Sequence, residues 1–177
     1  MNEVLKAIAD RRSIRDYTDR AVTDEELRAL MNAAAQSPSA VNRQPYHFVF
    51  VRDRALLDEF SRDYFSLMDP AETKGEFFNV LRGAPMVAFV FATAKGVFVP
   101  VDCGIAVENL ALAAHSMGLG SVILGMPRQL FVSPLGSGWM TRLGAPEGSE
   151  FAIAIGIGTP RASKEAHPVR EGLFTII

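Results

Sequence analysis

The first stretch whose side chains could do chemistry is Arg11-Arg12-Ser13-Ile14-Arg15, which places three guanidinium groups and a hydroxyl within five positions. Each arginine carries a planar fork of N–H donors that can bind a phosphate through two hydrogen bonds. A short basic run standing alone is more often a solvated turn at the end of a helix. The cluster therefore indicates an anion site only if another part of the chain supports one.

That support comes from a polar stretch further along the chain. It reads Ser37-Pro38-Ser39-Ala40-Val41-Asn42-Arg43-Gln44-Pro45-Tyr46-His47-Phe48. Serine, asparagine and glutamine side chains can hydrogen-bond the carbonyl and imide edge of a flat heterocycle. Since the arginines could hold a phosphate on the same molecule, the two stretches together indicate a phosphorylated heterocyclic ligand.

The elements that must position these residues can be predicted from hydrophobic spacing. Residues 3–10 are predicted to form an amphipathic helix that ends at the arginine cluster. A capping box, Thr23-Asp24-Glu25-Glu26, starts a second helix. The apolar residues at core spacing in that helix are Leu27, Leu30, Met31 and Ala34. Apolar runs predict strands over residues 46–51, 85–92, 121–124 and 151–157. A helix is expected over residues 55–67, a loop over 69–75, and a helical turn or two over 76–81.

The most apolar helix is predicted to run from Pro100 to about Met117. Asp102 is its expected N-cap and Gly118 its expected C′ residue. A helical or irregular stretch should continue to Leu143 before the last strand. Helices outnumber strands and separate them, which indicates an α+β layered domain; the pattern leaves parallel and antiparallel pairing open.

Composition bounds the function classes. At 177 residues, with 49% apolar and 21% charged side chains, the chain fits one globular domain over residues 1–177. The net charge of −2 argues against nucleic acid or an anionic membrane as a general partner. No apolar run reaches the roughly 18 residues of a membrane span, and the N-terminus lacks a signal-peptide core. The single cysteine, Cys103, cannot form an internal disulfide, so a cytoplasmic location is expected.

Several other conspicuous residues are predicted to be structural. His47 and His115 have no neighbouring base-and-orienter pair, and the histidines and cysteine lack metal-ligand spacing, so no metal site is expected. Cys103 should be inert in its apolar helix, and Trp139 should pack in the core. The tail over residues 160–177 is polar and basic, then apolar from Leu173 to Ile177. Such an ending has little to pack on within its own chain, which favours a dimer.

Taken in order, the motifs resemble those of the nitroreductase family, the FMN-dependent NAD(P)H oxidoreductases. The resemblance covers residues 3 to about 172. Its motifs are Arg11 to Arg15, Ser37 to Phe48, Asp102 to Leu110, Gly118-Leu119-Gly120-Ser121 and Ala154-Ile155-Gly156. It implies a three-layer α+β domain with a central, mainly antiparallel sheet flanked by helices. It also implies an intertwined homodimer with FMN at the interface and a tail reaching the partner subunit.

The same resemblance assigns roles by position. Arg11, Arg12 and Ser13 would hold the FMN phosphate and ribityl chain, and Arg15 would sit by flavin N1 and the C2 carbonyl as an electrostatic partner. Leu124 and Gly125 would lie near flavin N5. Arg170 resembles a late phosphate-binding arginine, and Lys164 and His167 are further candidates. The loop that closes the site, partly from the other subunit, would contain Pro38, Ser39, Ala40, Asn42 and Gln44.

The function implied is ping-pong hydride transfer from NADH or NADPH, through flavin N5, to a nitroaromatic, quinone or activated alkene. No side-chain nucleophile is required. The alternatives are a specialised member that dehalogenates, fragments flavin or reduces one metabolite, and a flavin-binding module with little turnover. The sequence leaves open the acceptor and the choice of nicotinamide. Tyr46 replaces a frequent tryptophan, and residues 54–83 lack a long helical insertion, so what covers the substrate also stays open.

Overall fold

The computed structural model describes residues 1–74, 76–166 and 168–177. Helices over these residues are α1 (Glu3–Asp10), α2 (Asp24–Ala35), α3 (Arg54–Ser66), α4 (Pro70–Thr73), α5 (Val99–Ser116), α6 (Arg128–Phe131) and α7 (Gly136–Arg142), with a 3-10 turn at Ala40–Asn42. The strands are β1 (Tyr46–Val51), β2 (Met86–Ala92), β3 (Gly120–Leu124) and β4 (Glu150–Gly158). Within the described ranges, no helix is both long and apolar enough to cross a bilayer.

The strands form one antiparallel sheet in the order β1-β2-β4-β3. β2 lies inside the sheet and is buried from Met86 to Phe91, as its unbroken apolar run predicts. β1 and β3 are the two edge strands. The expected α+β class and the antiparallel pairing implied by the resemblance are therefore confirmed.

Each face of the sheet carries its own hydrophobic core, which gives the three layers. On one face, α2 and α5 cover β2 and β4 through Leu30, Val107, Leu110 and Ala114. On the other, Phe60 and Phe131 pack against Phe89 of β2, and Trp139 packs edge-on against Phe60. Trp139 is buried and its Nε1 donates to Asp63 Oδ2 at 2.9 Å, so its predicted core role is confirmed.

Two short segments between α3 and β2 differ from the prediction. The loop expected over residues 69–75 is wrong for residues 70–73, because the Asp69 side chain accepts from the Ala71 N–H and starts α4; Gly75 lies outside the described residues. The helical turn expected over residues 76–81 is also wrong. That segment is irregular and then turns at residues 80–83, since Arg82 and Gly83 adopt the left-handed conformation.

The apolar helix also begins differently from the prediction. α5 starts at Val99, so Asp102 lies in its first turn and is not its N-cap. Its buried carboxylate instead accepts from the Ala40 N–H at 3.1 Å. At the other end Gly118 has φ +75°, and the N–H groups of Gly118 and Leu119 bond back to His115 and Ala114. This Schellman arrangement confirms the predicted C′ glycine.

The start of α2 generates a stability prediction. Thr23 Oγ1 accepts from the Glu26 N–H at 3.2 Å, and Glu26 Oε2 accepts from the Thr23 N–H at 2.8 Å, which confirms the capping box. Thr23→Ala should lower the free energy of unfolding by about 1 kcal/mol, since it removes one reciprocal cap bond. Urea denaturation followed by circular dichroism measures this. Thr23→Ser keeps the hydroxyl and should match the parent; equal losses for both variants would contradict a capping role.

Candidate functional site

The arginine cluster is held along the outer edge of the sheet. After α1 ends at Asp10, the chain becomes extended, and Ser13 forms a parallel bridge with Ser121 of β3. The Ile14 N–H donates to the Ser121 carbonyl at 2.8 Å. The Ile14 side chain turns inward against Gly120, where a Cβ atom would lie only 2.8 Å from it. Glycine at position 120 therefore permits the close approach of this segment to β3.

Tyr17 supports the same segment from within the core. Its hydroxyl donates to the Ile14 carbonyl at 2.7 Å and lies 3.3 Å from the Gly156 carbonyl. Burial raises the pKa of Tyr17 well above its usual range, and the charge of Arg15 offsets this only in part. The phenol thus stays neutral, and remains a donor, at every ordinary pH.

Arg11 and Arg12 leave buried donors unused. Arg11 Nε lies 3.3 Å from Glu108 Oε1, an ion-pair contact outside hydrogen-bond geometry. Arg12 Nη1 donates to the Ala9 carbonyl at 2.6 Å and the Arg11 carbonyl at 2.7 Å, so part of this side chain closes the end of α1. The Nε–H groups of both arginines are buried with no hydrogen-bond partner among the described residues. Because an unpaired buried donor is costly, this site is suited to an acceptor-rich ligand.

Two cavities open on either side of the segment. One, of about 230 Å³, is lined by Arg11, Arg12, Ile14, His115 and Lys164 among others. The second, of about 350 Å³, is lined by Ser13, Arg15, Asp16 and Lys164 among others. Lys164 thus borders both. His115, predicted to be structural, is half-buried at the rim of the first cavity.

Arg82 is a candidate site residue that the sequence analysis missed. It has a left-handed backbone with φ +59°, and its guanidinium carbon lies 4.4 Å from the centre of the Phe78 ring. Burial, and then the nearby positive charge of Arg15, lowers the pKa of Arg82. Two neighbouring cations indicate a place for the electron-rich edge of a ligand. No sequence signal marks Arg82, because the chain turn that brings it toward Arg15 is set by tertiary packing.

β3 leads from the arginines to an open stretch of backbone. Leu124 is buried at its last position, opposite Ala154 of β4. Next comes Gly125, where a Cβ atom would meet nothing within 4 Å. From Ser121 to Gly125 the strand rises roughly 13 Å. A ligand anchored at the arginines could therefore lie along β3 and reach exposed backbone at Gly125.

The polar loop over residues 37–44 is held in an unusual conformation. Tyr46 Oη donates to the Ser37 carbonyl at 3.0 Å, and Ser39 Oγ accepts from the Gln44 N–H at 2.8 Å. Val41, Asn42 and Gln44 all have positive φ, a conformation that side chains other than glycine rarely adopt. Such strain persists only where the surroundings enforce it, and it is concentrated at functional sites.

Within one chain, the two halves of the predicted site do not meet. The loop over residues 37–44 leads into β1, whereas the arginine segment lies beyond β3 at the opposite edge. Four interstrand steps, roughly 19 Å, separate these edges. The structure therefore groups Arg11, Arg12, Ser13, Arg15, Leu124 and Gly125 along one edge, and places Pro38, Ser39, Ala40, Asn42 and Gln44 at the other.

The remaining predicted residues lie in the tail and in α5. Arg170 lies in the exposed tail and, among the described residues, does not line either cavity. His167 lies outside the described residues. Cys103 is buried, and burial, followed by the charge of Asp102, raises the pKa of its thiol to about 11, which fits an inert thiol. The described part of the chain contains no cluster of His, Cys, Asp or Glu side chains suited to a metal ion.

Comparison with known proteins adds independent information. A family model described as the nitroreductase family matches residues 8–159. An Archaeoglobus fulgidus protein with the provisional name NADH dehydrogenase/NAD(P)H nitroreductase is 36% identical to this chain. The match covers 93% of this chain and 90% of the length of that protein. The NADPH-flavin oxidoreductase of Vibrio harveyi is 31% identical, over 95% of this chain and 70% of its own.

Among solved structures, a Desulfitobacterium hafniense nitroreductase with bound FMN superimposes with a TM-score of 0.91. It is 31% identical, and the match covers 100% of this chain and 99% of that one. The likeness therefore extends over the sheet, both helical layers and the tail.

The position of Tyr17 generates a prediction about stability and pH. Tyr17→Phe should cost about 1 kcal/mol of unfolding free energy, because the Ile14 carbonyl loses its buried donor. Since folding raises the phenol pKa, the stability that the neutral phenol contributes is full below its unfolded pKa near 10 and is lost as pH rises above it. The parent should thus lose stability above pH 10 more steeply than Tyr17→Phe. Urea titrations at pH 8 and about 10.5 test this; parallel losses in both proteins would exclude the linkage.

Proposed function

Because the chain belongs to the nitroreductase family, we propose that it is an FMN-dependent NAD(P)H oxidoreductase that reduces an electron-poor small molecule by ping-pong turnover. The observation that carries the proposal is the pair of buried Nε–H donors of Arg11 and Arg12, which have no hydrogen-bond partner among the described residues. They lie where the extended segment joins β3, and β3 leads from there to open backbone at Gly125.

The residues present fit FMN at both ends. Arg11, Arg12 and Ser13 would bind the phosphate and ribityl chain, with Lys164 at the rim of the same cavities. Arg170 would add a further phosphate contact from the tail. The flat ring would then lie by Leu124 and Gly125, since Gly125 is exposed and a Cβ atom there would meet nothing within 4 Å. When bound, FMN supplies the two-electron hydride chemistry.

The protein's own contribution is electrostatic. Arg15 would lie beside the N1 and C2 carbonyl edge of the ring, with Arg82 as the second cation of the pair. Fixed positive charge at this edge stabilises negative charge that develops there during reduction. Neither arginine needs to exchange a proton, since a guanidinium remains charged at all working pH values.

Completion of the site requires a second copy of the chain. The polar loop and the arginine segment lie at opposite edges of one sheet, so a loop from a partner would have to close each site. Several apolar side chains are available for such an interface. They are exposed at Val4, Leu5 and Ile8 of α1, at Val97, Phe98 and Val101 near the start of α5, and at Leu173, Phe174, Ile176 and Ile177 of the tail. We therefore propose a homodimer whose tail packs on the partner.

The direct test of the proposed function is anaerobic mixing of the FMN-loaded protein with NADH or NADPH while the flavin absorbance is recorded. Loss of the visible flavin absorbance, reversed by a nitroaromatic, quinone or activated alkene, is the expected result. Failure of the purified protein to take up FMN would refute the proposal. A yellow protein that neither nicotinamide bleaches would instead be a flavin-binding module.

The proposed role of Arg15 predicts a change in redox potential. Arg15→Gln should lower the flavin midpoint potential by several tens of millivolts with FMN saturating, since loss of a nearby cation disfavours the anionic reduced form. For a two-electron couple, a tenfold change in the equilibrium corresponds to about 30 mV. Arg11→Ala, at the phosphate end, is the matched control and should shift the potential much less. A spectroscopic redox titration compares them; equal potentials for the parent and Arg15→Gln would remove Arg15 from this role.

The proposed assembly predicts the effect of shortening the tail. Deleting residues 172–177 removes four exposed large apolar side chains, each of which could contribute ~1.5–3 kcal/mol if buried against a partner. The truncated protein should be monomeric or aggregated, or should lose FMN. Light scattering coupled to size exclusion, with absorbance detection of flavin, measures both properties. A truncated protein that stays dimeric and yellow would contradict the proposed position of the tail.

A further inference from the structure

Asp102 is a buried carboxylate in an otherwise apolar helix, and its position calls for an explanation. It is 5% exposed and lies in the first turn of α5, among buried Cys103 and Ala106. Burying a carboxylate is unfavourable unless hydrogen bonds or fixed dipoles compensate. The positive end of the α5 dipole offsets part of that cost. The other compensation is the hydrogen bond from the Ala40 N–H to Asp102 Oδ1 at 3.1 Å.

That bond spans 62 positions in sequence and reaches the centre of the polar loop. On either side of Ala40 the loop is fastened by its own contacts, from Tyr46 to the Ser37 carbonyl and from the Gln44 N–H to Ser39 Oγ. Between these anchors lie Val41 and Asn42, both left-handed. A β-branched residue with positive φ is strongly disfavoured, so Val41 would relax if nothing enforced its conformation.

The exposed side of the loop is the side that a ligand could meet. Val41 is 83% exposed, and the side chains of Asn42 and Gln44 are exposed and joined by a hydrogen bond of 3.2 Å. Asp102, by contrast, lies behind the loop and is not accessible from that side. Its negative charge acts on the protein interior. The pKa of Tyr46 is raised first by the burial of Tyr46 and then by the charge of Asp102.

We propose that Asp102 is a positioning residue: by holding the Ala40 N–H, its carboxylate keeps loop 39–44 in the left-handed shape that it presents to the flavin bound by a second copy of the chain. This inference rests on the proposed function, because the loop has no flavin to contact otherwise. Asp102 would touch neither flavin nor substrate, and its effect would pass through Ala40.

The test compares Asp102→Ala and Asp102→Asn in the 177-residue chain, with Asp63→Ala as a matched control. Asparagine keeps an oxygen that can accept from the Ala40 N–H, whereas alanine leaves that donor unpaired. Asp63 also accepts a core hydrogen bond, from Trp139, but in the layer on the opposite face of the sheet. Its removal therefore reports general destabilisation without releasing the loop.

We expect Asp102→Ala to weaken FMN binding by about tenfold, because binding would then have to restore the loop conformation that the lost hydrogen bond held, at a cost on the order of one buried hydrogen bond. The FMN affinity of Asp102→Asn should stay within about twofold of that of the parent. The same holds for Asp63→Ala, measured under conditions in which each variant is folded. Parent-like affinity for Asp102→Ala would overturn the proposal. So would an equal loss for Asp102→Asn, because the hydrogen bond would then not be the cause.

Amide hydrogen exchange of residues 39–44 gives a second measurement that does not depend on Asp102→Ala folding. The Ala40 amide should be protected in the parent and in Asp102→Asn, even without FMN. Exchange of Ala40 at the rate of a free amide in the parent would overturn the proposal. A parent that binds no FMN, yet protects Ala40, would refute the proposed function while leaving the hold of Asp102 on the loop in place.

Discussion

The pairing of Ser13 and Ile14 with Ser121 is the contact on which the rest of the candidate site depends. It fastens the chain after α1 to the free edge of β3, and it needs Gly120 beneath Ile14 and the Tyr17 hydroxyl behind it. Without this contact the arginines would be a solvated run at a helix end. With it, two guanidinium groups present buried Nε–H donors that have no hydrogen-bond partner within the described chain. The same few residues thereby cover an edge strand and form the proposed anion site.

The sheet order imposes a second constraint. β1 and β3 lie at opposite edges, so the polar loop and the arginines of one chain cannot close on the same ligand. Exposed apolar side chains on α1, near the start of α5 and on the tail are available for the proposed contact with a second copy. Under this proposal FMN binding depends on dimerisation, because a monomer would hold only half of the site. The strain in the loop fits this division, since its left-handed residues face outward.

Much of the architecture follows from local pattern, and its failures have physical causes. Continuous apolar runs located β2 and β4, and Thr23 with Glu26 located the start of α2. Asp102 was misassigned because a carboxylate near a helix start is usually a cap, whereas here it accepts a bond from a residue 62 positions away. Met31, placed in the core by its spacing, is 48% exposed because it lies on the outer side of α2. Arg82 was missed because its turn is fixed by long-range packing. Local periodicity also carries no information on strand order, and so none on the separation of the two site halves.

The central claim is that the arginine segment recognises a phosphate attached to a flavin. The measurement that tests it most directly is a paired titration of the flavin-free protein with FMN and with riboflavin, which differ only in the phosphate. Each charge-assisted contact to the phosphate is worth about 1.5–3 kcal/mol, roughly ten- to a hundredfold in affinity. FMN should therefore bind at least tenfold more tightly than riboflavin. Equal affinities would contradict it and would return Arg11 and Arg12 to a purely structural role at the end of α1.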